Sequence, residues 1–112
     1  MKEFYIAGVQ FHQAITVQDN FKVGDELVIR PEPNNKYDPN AVALIWNNDG
    51  QEDDVMIGYV PAKFSGEISA ELLAFDNIRC FFTEIDLAAK TWERFKVEIK
   101  SINDLDWLEG EV

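Results

Sequence analysis

Hydrophobic positions in this chain recur mostly at every second residue, and only once at helical spacing. From Phe4 to Phe11 the alternation puts Phe4 and Ile6 on one face and Tyr5, Ala7, Val9 and Phe11 on the other, which predicts a first strand. Gly8 within it predicts a bulge or a close backbone approach. His12 to Asn20 is compatible with either a helical turn or an irregular loop. Lys22 to Glu26 reads as a turn, and Leu27-Val28-Ile29-Arg30 as a short strand rich in branched residues. Ala41 to Trp46 predicts a third strand and Val55 to Val60 its antiparallel partner, with the turn signal Asn47-Asn48-Asp49-Gly50 between them. Phe64, Ile68, Leu72 and Phe75 then recur at the spacing of an amphipathic helix, predicted from Pro61 to Phe75 with Pro61 at its first position. The strand pattern returns over Ile78–Ile85 and Trp92–Ile102. In the latter, Phe95, Val97 and Ile99 alternate with Arg94, Lys96, Glu98 and Lys100, giving a strand with one wet face. Asp86 to Thr91 is too short for a helical crossover, so a hairpin joins these two strands.

About six short strands, with one helix between the fourth and fifth, predict a mainly β fold: a small, partly closed, OB-like antiparallel barrel. The chain has 112 residues, enough for one domain (1–112) with a single core. Three Trp and eight Phe can supply much of that core. No apolar run approaches the ~20 residues that span a bilayer, and Met1-Lys2-Glu3-Phe4 lacks the apolar stretch of a signal peptide. The expectation is a soluble, intracellular, cytoplasmic protein that makes no membrane contact. The acidic segment Asn103–Val112 has only Leu105, Trp107 and Leu108 with which to dock.

Charge complicates the functional reading. The net charge is -11, and neither half is a hidden basic lobe: residues 1–65 hold five basic and ten acidic side chains, residues 66–112 five and eleven. Phosphate-binding surfaces are normally basic, so any nucleic-acid contact here rests on a local patch working against the overall field and is expected to be weak and sensitive to salt. The single cysteine, Cys80, has no partner for a disulfide or a metal pair and reads as a buried structural thiol. The only histidine, His12, has no nucleophile beside it in sequence, and no spacing selects one acid–base pair from 21 carboxylates. Gly50 placed at the sixth position of a calcium loop would put Ile45 first and Met56 twelfth, neither of which can ligate. Neither catalysis, nor a metal, nor a cofactor is expected.

The stretch Pro31-Glu32-Pro33-Asn34-Asn35-Lys36-Tyr37-Asp38-Pro39-Asn40-Ala41-Val42 stands apart. Proline pins φ, and Asn and Asp bond their own backbone, so this loop is built to hold a fixed shape. Within it Tyr37 and Asp38 set an aromatic face beside a carboxylate acceptor. That pairing suits a planar, hydroxyl-bearing ligand; equally, the two side chains can staple the loop onto a barrel. Tyr59 and Phe11 read as strand aromatics facing the core or as part of a binding surface.

The run Asn34-Asn35-Lys36-Tyr37-Asp38-Pro39-Asn40-Ala41-Val42 resembles the central motif of HIRAN domains, Asn-Pro-Tyr-Asp-x-Asn-Ala-Ile/Val. Gly8-Val9-Gln10-Phe11-His12 resembles the family's first strand and Ile57-Gly58-Tyr59-Val60-Pro61 its Val/Ile-Gly-His/Tyr segment. The resemblance is clearest over residues 4–73. HIRAN domains are small modules found alone in bacteria or at the N-terminus of helicase-like DNA-repair translocases, and the resemblance implies a modified OB-like barrel that grips the 3′ end of single-stranded DNA. Carried over by motif, it implies that Tyr37 stacks on a terminal base and Asp38 accepts a hydrogen bond from the 3′-hydroxyl. Phe11 and His12 fall where characterised members carry two tyrosines, Gln10 where they carry a basic residue, and Tyr59 at the His/Tyr position. Lys63 is placed to contact phosphate, and Lys36 replaces the motif's proline. Two functions follow as expectations: a non-catalytic single-stranded DNA module that prefers a free 3′ end, or, favoured by the acidity, a protein- or peptide-interaction module on the same barrel.

Overall fold

The computed structural model describes residues 2–47 and 54–102. Six strands form one antiparallel sheet: β1 (Lys2–Tyr5), β2 (Glu26–Pro31), β3 (Val42–Trp46), β4 (Val55–Tyr59), β5 (Ile78–Ile85) and β6 (Phe95–Ser101), in the order β1-β6-β5-β2-β3-β4. A short helix, α1 (Ala14–Val17), lies between β1 and β2, and α2 (Ala62–Ala74) connects β4 to β5. The mainly β, OB-like architecture agrees with the alternation in the sequence. The clearest case is β6, where Phe95, Val97 and Ile99 are buried while Lys96, Glu98 and Lys100 face outward or lie half-buried.

The sheet curls because β2 divides its pairing. Glu26 and Leu27 pair with Phe81 and Cys80 of β5, whereas Val28 to Pro31 pair with Ile45 to Val42 of β3. Register shifts at Leu44/Ile45 and at Phe82/Glu84 add bends of the kind that bulges produce. The two outer strands thereby meet. Ala7, just past β1, donates its N–H to Tyr59 O and accepts from Tyr59 N–H, both at 2.9 Å. This pair of bonds closes the barrel, and Gly58 makes room for it: a Cβ there would collide with the Ala7 carbonyl oxygen and lie 2.7 Å from Ile6 Cγ2.

Aromatic rings fill the interior. Phe21 stacks on Phe82 with centroids 5.1 Å apart and meets Trp46 and Phe95, each at 5.4 Å. Phe4, Ile6, Leu27, Leu44, Ile57 and Ile68 complete the core, each such side chain contributing ~1.5–3 kcal/mol by leaving water. Cys80 is fully buried, and burial, helped by the Glu26 carboxylate, pushes its thiol up to about 12. The thiolate that reactivity requires is thus unfavoured.

Several sequence-based boundaries need correction. The first strand ends at Tyr5, because Gly8 takes φ +72° and turns the chain into a 3-10 turn, Val9–Phe11. That turn buries Val9 and leaves Phe11 79% exposed, so neither continues the strand. Of the two readings of His12 to Asn20 the helical one holds, from Ala14 onward: α1 is followed by a second 3-10 turn, Gln18–Asn20. Pro61 sits at the N-cap of α2 rather than its first position, and Phe75 is its exposed C-cap, leaving Phe64, Ile68 and Leu72 on the core-facing side. The last strand begins at Phe95; Trp92 belongs to a 3-10 turn, Thr91–Glu93, in a connection shaped by Arg94, whose guanidinium donates twice to Ala89 O. The tip of the β3–β4 hairpin and the C-terminal segment from Asn103 lie outside the described residues.

Candidate nucleic-acid interface

The loop between β2 and β3 is held by its own side chains. Asn35 Oδ1 accepts the backbone N–H of Tyr37 (2.9 Å) and of Asp38 (3.1 Å), and Asp38 Oδ1 accepts that of Asn40 (2.8 Å). Glu32 N–H donates to Ala41 O at 2.8 Å and shuts the base of the loop. These are the local bonds that Asn and Asp favour in turns.

Two contacts from distant elements complete the frame. Ser65 of α2, buried at 2% exposure, donates its hydroxyl to Asp38 Oδ2 at 2.6 Å. Tyr59 of β4 donates its hydroxyl to Glu32 Oε1 at 2.7 Å, and Asn35 Nδ2 donates to the same oxygen at 3.1 Å. The bond to Glu32, together with desolvation and the nearby negative charge, raises the Tyr59 phenol above its ordinary 10.0. Glu32, Asn35 and Ser65 thus tie the loop, β4 and α2 into one network. Asn35 carried a turn signal in the sequence and Glu32 lay in the same loop; nothing in the sequence marked Ser65.

The network frames a cleft of about 420 Å³ lined by Ala7, Gly8, Asn35, Tyr37, Asp38, Ala41, Tyr59, Val60 and Ala62. Its floor is the seam that closes the barrel. Tyr37 stands at the rim with 94% of its surface exposed, so its ring is open to a ligand. Asp38 faces the cleft with each carboxylate oxygen already accepting one bond, and a carboxylate has about four acceptor sites.

Tyr37, Asp38 and Tyr59 therefore meet in one cleft. His12 borders it, its ring packed edge-on against Tyr59 at 5.7 Å. Gln10 and Phe11 occupy the adjoining 3-10 turn, both exposed and neither lining the cleft; Lys36 is exposed in the loop beside Tyr37. Lys63 lies on the far side of Ala62, in a neighbouring groove, with Nζ 5.0 Å from the centre of the Phe64 ring. Among the described residues, no group of three His, Cys, Asp or Glu side chains is arranged to hold a metal ion, and no helix is long and apolar enough to cross a membrane.

Compared with known proteins, the chain matches the family model described as HIRAN domain over residues 1–101. No curated protein and no solved structure matches it.

Proposed function

The chain belongs to the HIRAN domain family, a family of DNA-binding modules, and from that premise we propose that it is a non-catalytic module that receives the free 3′ end of single-stranded DNA in the Tyr37 cleft. The observation that carries this reading is an aromatic ring 94% exposed beside a carboxylate held from two sides. An exposed tyrosine is a stacking platform, and stacking a base contributes ~1–3 kcal/mol whatever the base. The immobilised Asp38 offers further acceptor sites to a donor, which a terminal hydroxyl is and a terminal phosphate is not. With a net charge of -11, phosphate attraction adds little, so stacking and the bond to the terminal hydroxyl supply most of the recognition. A second reading, a protein- or peptide-interaction module, is favoured by that acidity and by Phe11 and Ile15, 79% and 70% exposed on neighbouring turns.

Fluorescence polarisation with short 5′-labelled oligonucleotides at low salt separates the two. The expected result is tighter binding to a 3′-hydroxyl than to a 3′-phosphate, weakened by about 1–3 kcal/mol in Tyr37→Ala. Unchanged affinity in a folded Tyr37→Ala variant refutes the stacking role. No binding to any oligonucleotide leaves the protein-partner reading in its place.

A further inference from the structure

We propose that the groove beside the cleft is a second nucleotide subsite, one that takes the nucleotides preceding the terminal two in a single strand. This proposal rests on the DNA reading above. The groove, about 450 Å³, runs between β1, the start of α2 and the 3-10 turn Thr91–Glu93, and its walls include Tyr5, Phe64, Trp92, Lys63 and Lys96. It continues the cleft: Ala7 lines both, and the Thr91–Glu93 turn packs against the Val9–Phe11 turn that carries Gln10 and Phe11.

The chemistry of its walls is what a single strand uses, aromatic faces interleaved with cations. Trp92 is 56% exposed and Tyr5 37%, so both rings present surface to solvent. Lys90 Nζ lies 5.4 Å from the Trp92 ring centre and Lys96 Nζ 5.5 Å from that of Tyr5. Lys2 joins the same face 4.7 Å above Phe64. In a chain with only ten basic residues, four of them, Lys2, Lys63, Lys90 and Lys96, thus gather around this one groove. Glu3 and Glu67 neutralise Lys96 and Lys2 at 3.3 and 3.2 Å, whereas Lys63 and Lys90 make no ion pair among the described residues. Those two are the cations available to phosphates. The acidity of the whole chain is therefore relieved locally, on the surface into which a strand leaving the cleft would run.

Titrating the isotopically labelled full chain with dT2, dT4 and dT6, all bearing 3′-hydroxyls, and following amide and indole resonances tests this. The expected result is that dT2 perturbs Gly8, Asn35, Tyr37 and Tyr59, and that dT4 binds more tightly and also perturbs Tyr5, Lys63, Lys96 and the Trp92 indole. Trp92→Ala should cut dT4 affinity about 5- to 150-fold, the equivalent of stacking one base, and leave dT2 affinity unchanged. Lys90→Gln, on an exposed side chain, should reduce the same gain and its salt dependence, and serves if Trp92→Ala does not fold. A wild type that binds dT4 no more tightly than dT2, or a gain that survives both variants, overturns the proposal. Loss of dT6 affinity in Trp92→Ala with no 3′-end preference and no effect of Tyr37→Ala keeps the groove but removes the terminal cleft. If none of the three oligonucleotides binds, both readings fall.

Discussion

Gly58→Ala should unlock the barrel without removing a single core side chain. The added methyl has nowhere to go: the Ala7 carbonyl oxygen blocks it, and Ile6 Cγ2 lies 2.7 Å away. If the backbone retreats, the two Ala7–Tyr59 bonds are lost at ~0.5–1.5 kcal/mol each. If it holds, the site absorbs an overpacking cost of ~1–3 kcal/mol. Either route destabilises by about 1–3 kcal/mol, which for a domain of this size lowers the melting temperature by roughly 4–12 °C. Gly66→Ala is the matched control. It is exposed on α2, and its new Cβ would meet only Asn40 Nδ2 at 3.8 Å, so the gain in helix propensity should stabilise by up to ~1 kcal/mol. Thermal unfolding followed by circular dichroism reads both variants, and amide hydrogen exchange at Ala7 and Tyr59 reports the seam directly. A Gly58→Ala variant that melts with the wild type and keeps those two amides protected would refute the reasoning.

Asp38→Asn should retain the loop, since an amide can accept from Asn40 N–H and donate to Ser65 Oγ, leaving that hydroxyl its alternative bond to Ala62 O at 3.0 Å. It should nevertheless lose affinity for a 3′-hydroxyl and narrow or reverse the discrimination against a 3′-phosphate, because the charge-assisted bond and the repulsion disappear together; an unchanged hydroxyl-to-phosphate ratio by polarisation removes Asp38 from end recognition. The raised Tyr59 phenol gives a pH signature: its contribution to stability is complete below its ordinary 10.0 and is lost as pH rises through the higher folded value. The stability difference between wild type and Tyr59→Phe should therefore be level in mildly alkaline urea titrations and shrink at higher pH, and Glu32→Gln should bring the Tyr59 ring titration back down when followed by NMR.

Much of the barrel was legible because strand alternation is a local property. The pattern Phe95, Val97, Ile99 marked β6, and the continuous apolar run Ala41 to Trp46 marked β3. The first strand was read too long for an instructive reason. Period-two spacing continues through Ala7, Val9 and Phe11, but one positive φ at Gly8 reverses which side of the chain faces inward. At the candidate site the turn bonds of Asn35 and Asp38 follow from residue type, since their partners lie two or three positions away. The Tyr59–Glu32 and Ser65–Asp38 bonds each span 27 residues, and only the closed barrel brings those groups together. The second groove was hidden likewise: Tyr5, Lys63 and Trp92 come from three separate elements.

The barrel's closure is uneven. β5 and β6 are laced together along their whole lengths, whereas β1 and β4 are joined through two hydrogen bonds at a single residue pair. The cleft is built across that weakest join, with Ala7 and Gly8 on one margin and Tyr59 and Val60 on the other. Any ligand filling the cleft touches both margins and so acts as a clasp from outside. Affinity and closure then become one coupled equilibrium: occupancy should slow exchange of the Ala7 and Tyr59 amides, and a substitution that merely loosens the join should weaken binding without altering a single residue that the ligand contacts.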